Sequence, residues 1–241
     1  MRIVLALALA ALPLAAAASG LDPAARAAFR AEIRAYLLEH PELIDEVLAE
    51  AERQRQAEAV SGDLALIEAH RAALFDAPDD WTGGNPEGDV TVVAFVDYAC
   101  DRCGPALSAA RALAASDPGL RLVVKDAPGP GGETAARFAR AVLALAGPDA
   151  YARAQDALFA APDMQPGTLD GIARALGLDP ATVADRMADP GIAAALAVNR
   201  ALLDALDLET APAYVFERSL VRGDLPEVAL AAIAQAMRRK N

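Results

Sequence analysis

The two cysteines of this chain lie close together, at Cys100 and Cys103, and no other cysteine occurs among its 241 residues. Two thiols three positions apart can close on each other as a reversible disulfide. Neither has another partner with which to build a structural framework. Because the thiolate is the nucleophile in disulfide exchange, the spacing predicts a redox site.

The elements around the pair favour that chemistry. An apolar run at 90–96 ends just before Cys100, and a segment with helical character follows from about 102 to 115. At the start of a helix, unpaired backbone N–H groups and the positive end of the helix dipole favour a thiolate. We therefore expect Cys100 to be the exposed nucleophile. Cys103, one helical turn further on, should be the buried thiol that resolves a mixed disulfide.

The two residues between the cysteines should tune the redox equilibrium. Arg102 should stabilise a Cys100 thiolate by its charge, and Asp101 should oppose it. Which charge dominates stays open from sequence alone, and Pro105 leaves the exact start of the helix open as well.

A metal site is the alternative chemistry for two neighbouring thiols. A zinc site needs two further ligands, and the two histidines of the chain, His40 and His70, both lie in the N-terminal segment. A Cu(I) ion can be held by the two thiolates, so copper handling stays open as the alternative function. For the redox function we expect no cofactor and no resident metal.

The N-terminal residues are typical of an export signal. A short positive start precedes an apolar run and three alanines, so residues 1–18 should be removed by cleavage near Ala18. We therefore expect a periplasmic protein, in a compartment where disulfides persist. Acidic residues outnumber basic ones, 34 to 22, and the formal net charge of -12 argues against a nucleic-acid partner.

The rest of the chain divides by pattern. Residues 19–76 should form an N-terminal helical segment, broken at Pro41 and interrupted at Ser61-Gly62, and residues 77–89 should form a turn-rich linker. The domain after the linker, 90–241, shows a strand, a helix, a strand at 120–125, a helical block at about 133–206, two short strands and a final helix. Without the block, this is the order of a thioredoxin fold.

A proline loop should complete such a site. Thioredoxin-type sites place a cis-proline against the cysteine pair. Pro212, preceded by Ala211, lies directly before the predicted strand 213–216, where the topology requires that loop.

Several segments, taken together, carry a family resemblance. Val90–Cys103 resembles the VTVVEFFDYxCxxC signature of DsbA-family periplasmic thiol–disulfide oxidoreductases, and the ScsC-like branch is the most similar. Other segments that resemble that branch are Tyr36–Ile44, Leu120–Asp126, Pro190–Leu206, Pro212–Val215 and Val221–Gly223.

The resemblance has implications for fold and function. It implies an α/β thioredoxin fold with an inserted helical domain, preceded by an N-terminal α-helical segment. The implied activity is disulfide exchange, as oxidase or isomerase, with secreted or periplasmic client proteins. The implied redox partner is a membrane protein of the DsbB or DsbD type. Residues 23–76 have two interpretations: an arm through which copies of the chain associate, or helices that pack on their own catalytic domain.

Three positions depart from the family pattern near the cysteines. Ala94 stands where the family usually has Glu, Ala211 where it has Thr, and Asp126 begins a segment that replaces EFPILG. Asp126 is a candidate to take over part of the missing carboxylate's role.

Overall fold

The computed structural model describes residues 22–239. The expected signal peptide, 1–18, lies outside the described residues. The chain divides into two compact units between Gln56 and Ala57. Within residues 22–239, no helix has both the length and the apolar character needed to cross a membrane.

The first unit consists of helix α1, Pro23–Glu39, and the first part of α2, Glu42–Ala69. Asp22 caps α1 by accepting a hydrogen bond from the Ala25 N–H at 2.8 Å, and Pro23 occupies the first turn, where its missing N–H costs nothing. No residue of α1 is buried.

Helix α2 corrects one expectation, because it continues without a break through Ser61-Gly62. A glycine inside a helix costs only about 1 kcal/mol relative to alanine. The alanine-rich sequence around it favours the helix. Ile67, which is only 1% exposed, stabilises the last turns by its burial.

The second unit contains a five-stranded sheet in the order β1-β3-β2-β4-β5. Strands β2 and β3 are parallel and are joined by helix α4, Cys103–Ser116, while β4 runs antiparallel to β2. Strand β2 is buried along its whole length, which explains its continuous apolar sequence. The strands are β1 Trp81–Gly84, β2 Val90–Val96, β3 Leu120–Asp126, β4 Ala213–Phe216 and β5 Ser219–Arg222.

Strand β1 lies inside the segment expected to be a linker, 77–89, so that expectation is wrong in part. Trp81 pairs with Val124 at the outer edge of β3. The indole packs on the core, and its N–H donates to the carbonyl oxygen of Pro148 at 3.0 Å. The turn-rich composition hid a short edge strand that covers β3.

The boundary between the two units also lies earlier than the predicted linker. Ile67, at the end of α2, and Leu74 and Phe75, in the short helix α3 (Arg71–Phe75), pack in a buried cluster with β2 and β3. These apolar contacts place residues 57–76 with the sheet rather than with α1.

The helical block forms a second core beside the sheet. Its longest helix, α5, bends at Gly147, which has a φ of 79°, directly before Pro148. Asp179 and Asp189 cap the two helices that begin at Pro180 and Pro190. The remaining helices are α5 Glu133–Ala160, α6 Pro166–Ala175, α7 Pro180–Met187, α8 Pro190–Ala205 and α9 Glu227–Arg239.

A buried ion cluster connects the start of β1 with β3 and α5. Asp80 forms ion pairs with Lys125 and, at 3.5 Å, with Arg140. Asp80, Lys125 and Arg140 have side chains only 4%, 1% and 6% exposed. A single carboxylate thus compensates two desolvated cations.

Replacing that carboxylate should destabilise the fold strongly. Asp80→Asn leaves two buried cations without their counter-ion, a change that costs about 3–5 kcal/mol in comparable sites. The neighbouring Asp79 is exposed, so Asp79→Asn should change the free energy of unfolding by no more than about 0.5 kcal/mol. Urea denaturation of both variants measures the difference, and equal effects would contradict this account of the cluster.

Candidate active site around Cys100 and Cys103

The two cysteines form a disulfide at the N-terminal end of α4. Their Cα atoms are 5.4 Å apart, and the Cys103 N–H donates to the Cys100 carbonyl oxygen at 3.0 Å. Cys103 is fully buried, whereas Cys100 is half-buried. Of the two cysteines, Cys100 is therefore the accessible one.

The loop before β4 lies against Cys100. The Ala211–Pro212 peptide bond is cis, and the carbonyl oxygen of Ala211 is 3.5 Å from the Cys100 sulfur. The carbonyl oxygen of Pro212 accepts a hydrogen bond from the Gly223 N–H at 3.1 Å. The loop is thus attached to the turn that follows β5.

Asp97 holds a second loop beside the pair. Its carboxylate accepts hydrogen bonds from the N–H groups of Ala99 and Gly129, both at 3.0 Å. A Cβ on Gly132 would lie 1.8 Å from an Asp97 carboxylate oxygen, so a side chain at this position would displace the carboxylate. Asp97 therefore joins the end of β2 to the loop that follows β3.

Cys100 is flanked by two cavities. The first, of about 460 Å³, includes Tyr98, Phe159 and Met164 in its walls. The second, of about 280 Å³, is bounded by the 127–130 and 209–211 loops and carries several charged side chains. The accessible cysteine thus lies between two recesses, each of which is lined by both apolar and charged side chains.

The residues between the cysteines point in different directions. Asp101 is exposed and lines the first cavity. Arg102 donates to the Asp224 carboxylate at 2.7 Å, and the two side chains are 65% and 45% exposed. Sequence reasoning assigned Arg102 to the Cys100 thiolate and missed Asp224, which lies 122 positions further along the chain.

Ala94 and Asp126 show where the site departs from its family pattern. Ala94 is buried in the middle of the sheet between Val124 and Tyr214. Asp126 is fully buried at the end of β3, directly beside Val96. Of these two positions, only Asp126 carries a carboxylate. It lies at the edge of the sheet from which the cysteine loop leaves.

Asp126 is held in a buried polar cluster with Tyr98, Tyr151 and Gln155. The hydroxyl groups of Tyr98 and Tyr151 donate to its two carboxylate oxygens at 2.8 and 2.9 Å. The Gln155 amide donates to both tyrosine oxygens at 3.0 Å. Tyr98 also lines the first cavity, so the cluster reaches the wall of the site while Asp126 itself lines neither cavity.

Burial dominates the electrostatics of this cluster. It raises the pKa of Asp126 to about 6, although the positive charge of Arg140 and the two tyrosine hydroxyls oppose the shift. Burial and the neighbouring Asp126 charge also raise the pKa values of Tyr98 and Tyr151 well above 10, so both hydroxyls remain donors.

The described residues, 22–239, lack a cluster of metal ligands. No three or more His, Cys, Asp or Glu side chains there are grouped so that they could hold a metal ion. A two-thiolate Cu(I) site would not need such a group and stays a hypothesis.

Comparisons with known proteins agree with this geometry. A family model described as the copper resistance protein ScsC N-terminal domain matches residues 26–58. A thioredoxin-like oxidoreductase from Silicibacter pomeroyi DSS-3 is 34% identical, with 71% of this chain and 98% of that chain covered and a TM-score of 0.64. None of the curated proteins compared with the chain matches it.

Two further solved structures share the fold at lower identity. The thiol-disulfide exchange protein alpha-DsbA2 from Wolbachia pipientis is 22% identical, with 75% of this chain and 98% of that chain covered and a TM-score of 0.69. A Proteus mirabilis ScsC linker-deletion mutant is 18% identical, with 93% and 100% covered and a TM-score of 0.67. The expected thioredoxin fold with inserted helices is confirmed.

Asp126→Asn should change how stability depends on pH. The folded-state pKa of Asp126, about 6, is above its ordinary value of 3.8, so the folded protein holds this proton more tightly than the unfolded chain. The resulting stabilisation is fully present below about pH 4 and is lost as the pH rises through 6. Relative to Asp126→Asn, the wild type should lose up to about 3 kcal/mol between pH 4 and 7.

Chemical denaturation at a series of pH values measures this difference. Tyr151→Phe provides a control in the opposite direction: it keeps the carboxyl but removes a donor that favours its ionised form. In that variant the loss should move to higher pH. A wild-type-to-Asn difference that is constant from pH 4 to 7 would contradict the assignment.

Proposed function

This chain belongs to the thioredoxin-like oxidoreductases, and we propose that it is exported and exchanges disulfides with secreted or periplasmic proteins through Cys100 and Cys103. The observation that carries the proposal is the half-buried Cys100 of a disulfide at a helix N-terminus, 3.5 Å from the carbonyl oxygen of Ala211. Its thiol–disulfide chemistry follows from the family.

In the oxidising direction, a client thiolate attacks the Cys100 sulfur. The client–Cys100 bond forms as the Cys100–Cys103 bond breaks, and the electron pair goes to Cys103, which leaves as a thiolate and is then protonated. The positive end of the α4 helix dipole stabilises that charge. A second client thiolate then attacks the mixed disulfide and releases the oxidised client and a Cys100 thiolate.

The reverse sequence reduces a client disulfide. The Cys100 thiolate attacks, and Cys103 resolves the mixed disulfide by attacking Cys100. We propose that an extended client segment lies along Ala211 and Pro212 during either sequence, with its cysteine between the two cavities.

The reduction potential of the Cys100–Cys103 pair distinguishes an oxidising role from a reducing one. A value of about -120 mV would be typical of an oxidant, and about -270 mV of a reductant. A membrane partner of the DsbB type would reoxidise the first kind, and one of the DsbD type would keep the second kind reduced. Cell fractionation tests the proposed export and cleavage near Ala18.

Copper handling has no observation in its favour at the cysteines. The family model named for copper resistance matches only residues 26–58, which contain neither cysteine. Anaerobic titration of the reduced protein with Cu(I) tests this alternative, and the absence of tight binding would remove it.

Replacing the resolving thiol should trap clients. In Cys103→Ser, the mixed disulfide on Cys100 cannot be resolved from within the chain, so adducts should accumulate as bands on non-reducing gels that disappear with reductant. Cys100→Ser is the matched control and should form none, because Cys103 is fully buried. If Cys103→Ser yields no adducts in cells, the proposed client exchange is wrong.

We also propose that the N-terminal helices associate copies of the chain. Phe29, Ile33 and Tyr36 recur at helical spacing on one side of α1, and all three are exposed. In α2 the first unit exposes Ile44, Val47 and Leu48 as well. A helical segment with such unpaired apolar side chains is typical of an association surface.

Light scattering tests this arm. The mature protein should have an oligomeric mass, and the double variant Phe29→Glu/Ile33→Glu should reduce it to that of a monomer because it places charges on the apolar side of α1. Arg34→Glu, on the other side of the same helix, should leave the mass unchanged. A monomeric wild type would contradict the proposal and favour helices that serve only their own chain.

A further inference from the structure

The turn after β5, residues 223–226, contacts both the cis-proline loop and the cysteine motif. The Gly223 N–H donates to the Pro212 carbonyl oxygen at 3.1 Å, which connects the turn to the cis-proline loop. Gly223 has a φ of 95°, in the left-handed region that favours glycine. Asp224, the next residue, forms its ion pair with Arg102 between the two cysteines.

A second set of contacts fixes the same turn against α4. The Tyr214 hydroxyl donates to the carbonyl oxygen of Ala106, in the first turn of that helix, at 2.9 Å. Leu225, in the turn itself, packs against the buried cluster that contains Ala106 and Tyr214. The carboxylate of Asp224 is therefore carried by a turn attached to both sides of the redox pair.

Within residues 22–239, the side-chain contact of Arg102 is the one with Asp224. Arg102 precedes α4 as its N-cap residue, but its side chain makes no capping hydrogen bond, and the ion pair with Asp224 is the contact that directs its guanidinium group. The direction of this positive charge is therefore decided by a residue outside the cysteine motif.

We propose that Asp224 is a positioning residue that sets the redox equilibrium of the Cys100–Cys103 pair by holding Arg102. A cation beside Cys100 stabilises its thiolate and so favours the reduced form. Asp224 neutralises that cation and draws it toward the 223–226 turn, which makes the reduced form less stable and the disulfide less oxidising. The inference rests on the proposed disulfide exchange at Cys100.

The equilibrium with glutathione measures this effect directly. Two glutathione thiols supply two electrons and two protons, the Cys100–Cys103 bond breaks to give two thiols, and the glutathione disulfide forms. Asp224→Asn removes the negative charge with little change in shape, and Asp224→Ala also removes the hydrogen-bond acceptor. Both should shift the equilibrium toward the dithiol, with the larger shift in the alanine variant.

The expected shift is about threefold, the size typical of an exposed ion pair. It corresponds to a potential about 14 mV less negative, since a tenfold change is 29.6 mV for two electrons. The shift should shrink at high salt, which screens exposed charges.

Asp170→Asn is the matched control, because the Arg174–Asp170 pair has the same exposed fractions, 65% and 45%, and lies on α6. It removes one negative charge from the protein and should leave the equilibrium unchanged. If both variants shift the equilibrium equally, the effect is one of net charge and the assignment to Asp224 is overturned.

A double-mutant cycle with Arg102→Gln tests whether Asp224 acts through the arginine. In the Arg102→Gln background, Asp224→Asn should have almost no effect. An undiminished threefold shift there, or no shift in the wild-type background, overturns the inference. Failure of the proposed function looks different, since the wild-type pair would then show no reversible equilibrium with glutathione at all.

Discussion

The parallel pairing of β2 with β3 is the constraint on which the site depends. It places Val96 beside Asp126, so that the cysteine loop and the loop after β3 leave the sheet at the same edge. The crossover helix α4 must begin at that edge, which gives the cysteine pair its helix N-terminus. Because β4 runs antiparallel to β2, Pro212 arrives at the same edge just before Ala213. Cys100, Pro212 and the loop after β3 are far apart in sequence and thus converge, although each lies outside the strands.

The protein interior next to this edge contains several ionisable side chains, which are uncommon in buried positions. Asp80 lies between two buried cations, and Asp126 is surrounded by tyrosine hydroxyls rather than by a cation at hydrogen-bond distance. Desolvation makes these groups costly, and their ion pairs and hydrogen bonds compensate for it. The tyrosines give Asp126 two donors, and Gln155 in turn fixes the tyrosines. The polar cluster therefore determines one arrangement of side chains beneath the cysteine loop, which a purely apolar filling would not.

The sequence predicted the parts of this protein that depend on local pattern. Short stretches of sequence were enough to recognise the apolar run of β2, the spacing of the cysteines and the proline before β4. The order of the elements then requires that these three features meet. Strand β1 escaped because four residues with two glycines and a tryptophan have no strand pattern; only pairing with β3 makes them one. The break predicted at Ser61-Gly62 does not occur, because the low helix propensity of two residues is outweighed by the long helix-favouring sequence on both sides. The role of Asp224 could not be predicted, because only the tertiary structure brings it into contact with Arg102.

The complete burial of Cys103 also limits chemical damage by oxidants. Peroxides and other small oxidants reach the half-buried Cys100 of the reduced protein, and the first product there is a sulfenic acid. The Cys103 thiol lies close enough to condense with it, so that water leaves and the disulfide returns before irreversible sulfinic or sulfonic acids form. The same geometry that resolves a mixed disulfide thus makes the site self-repairing toward oxidants.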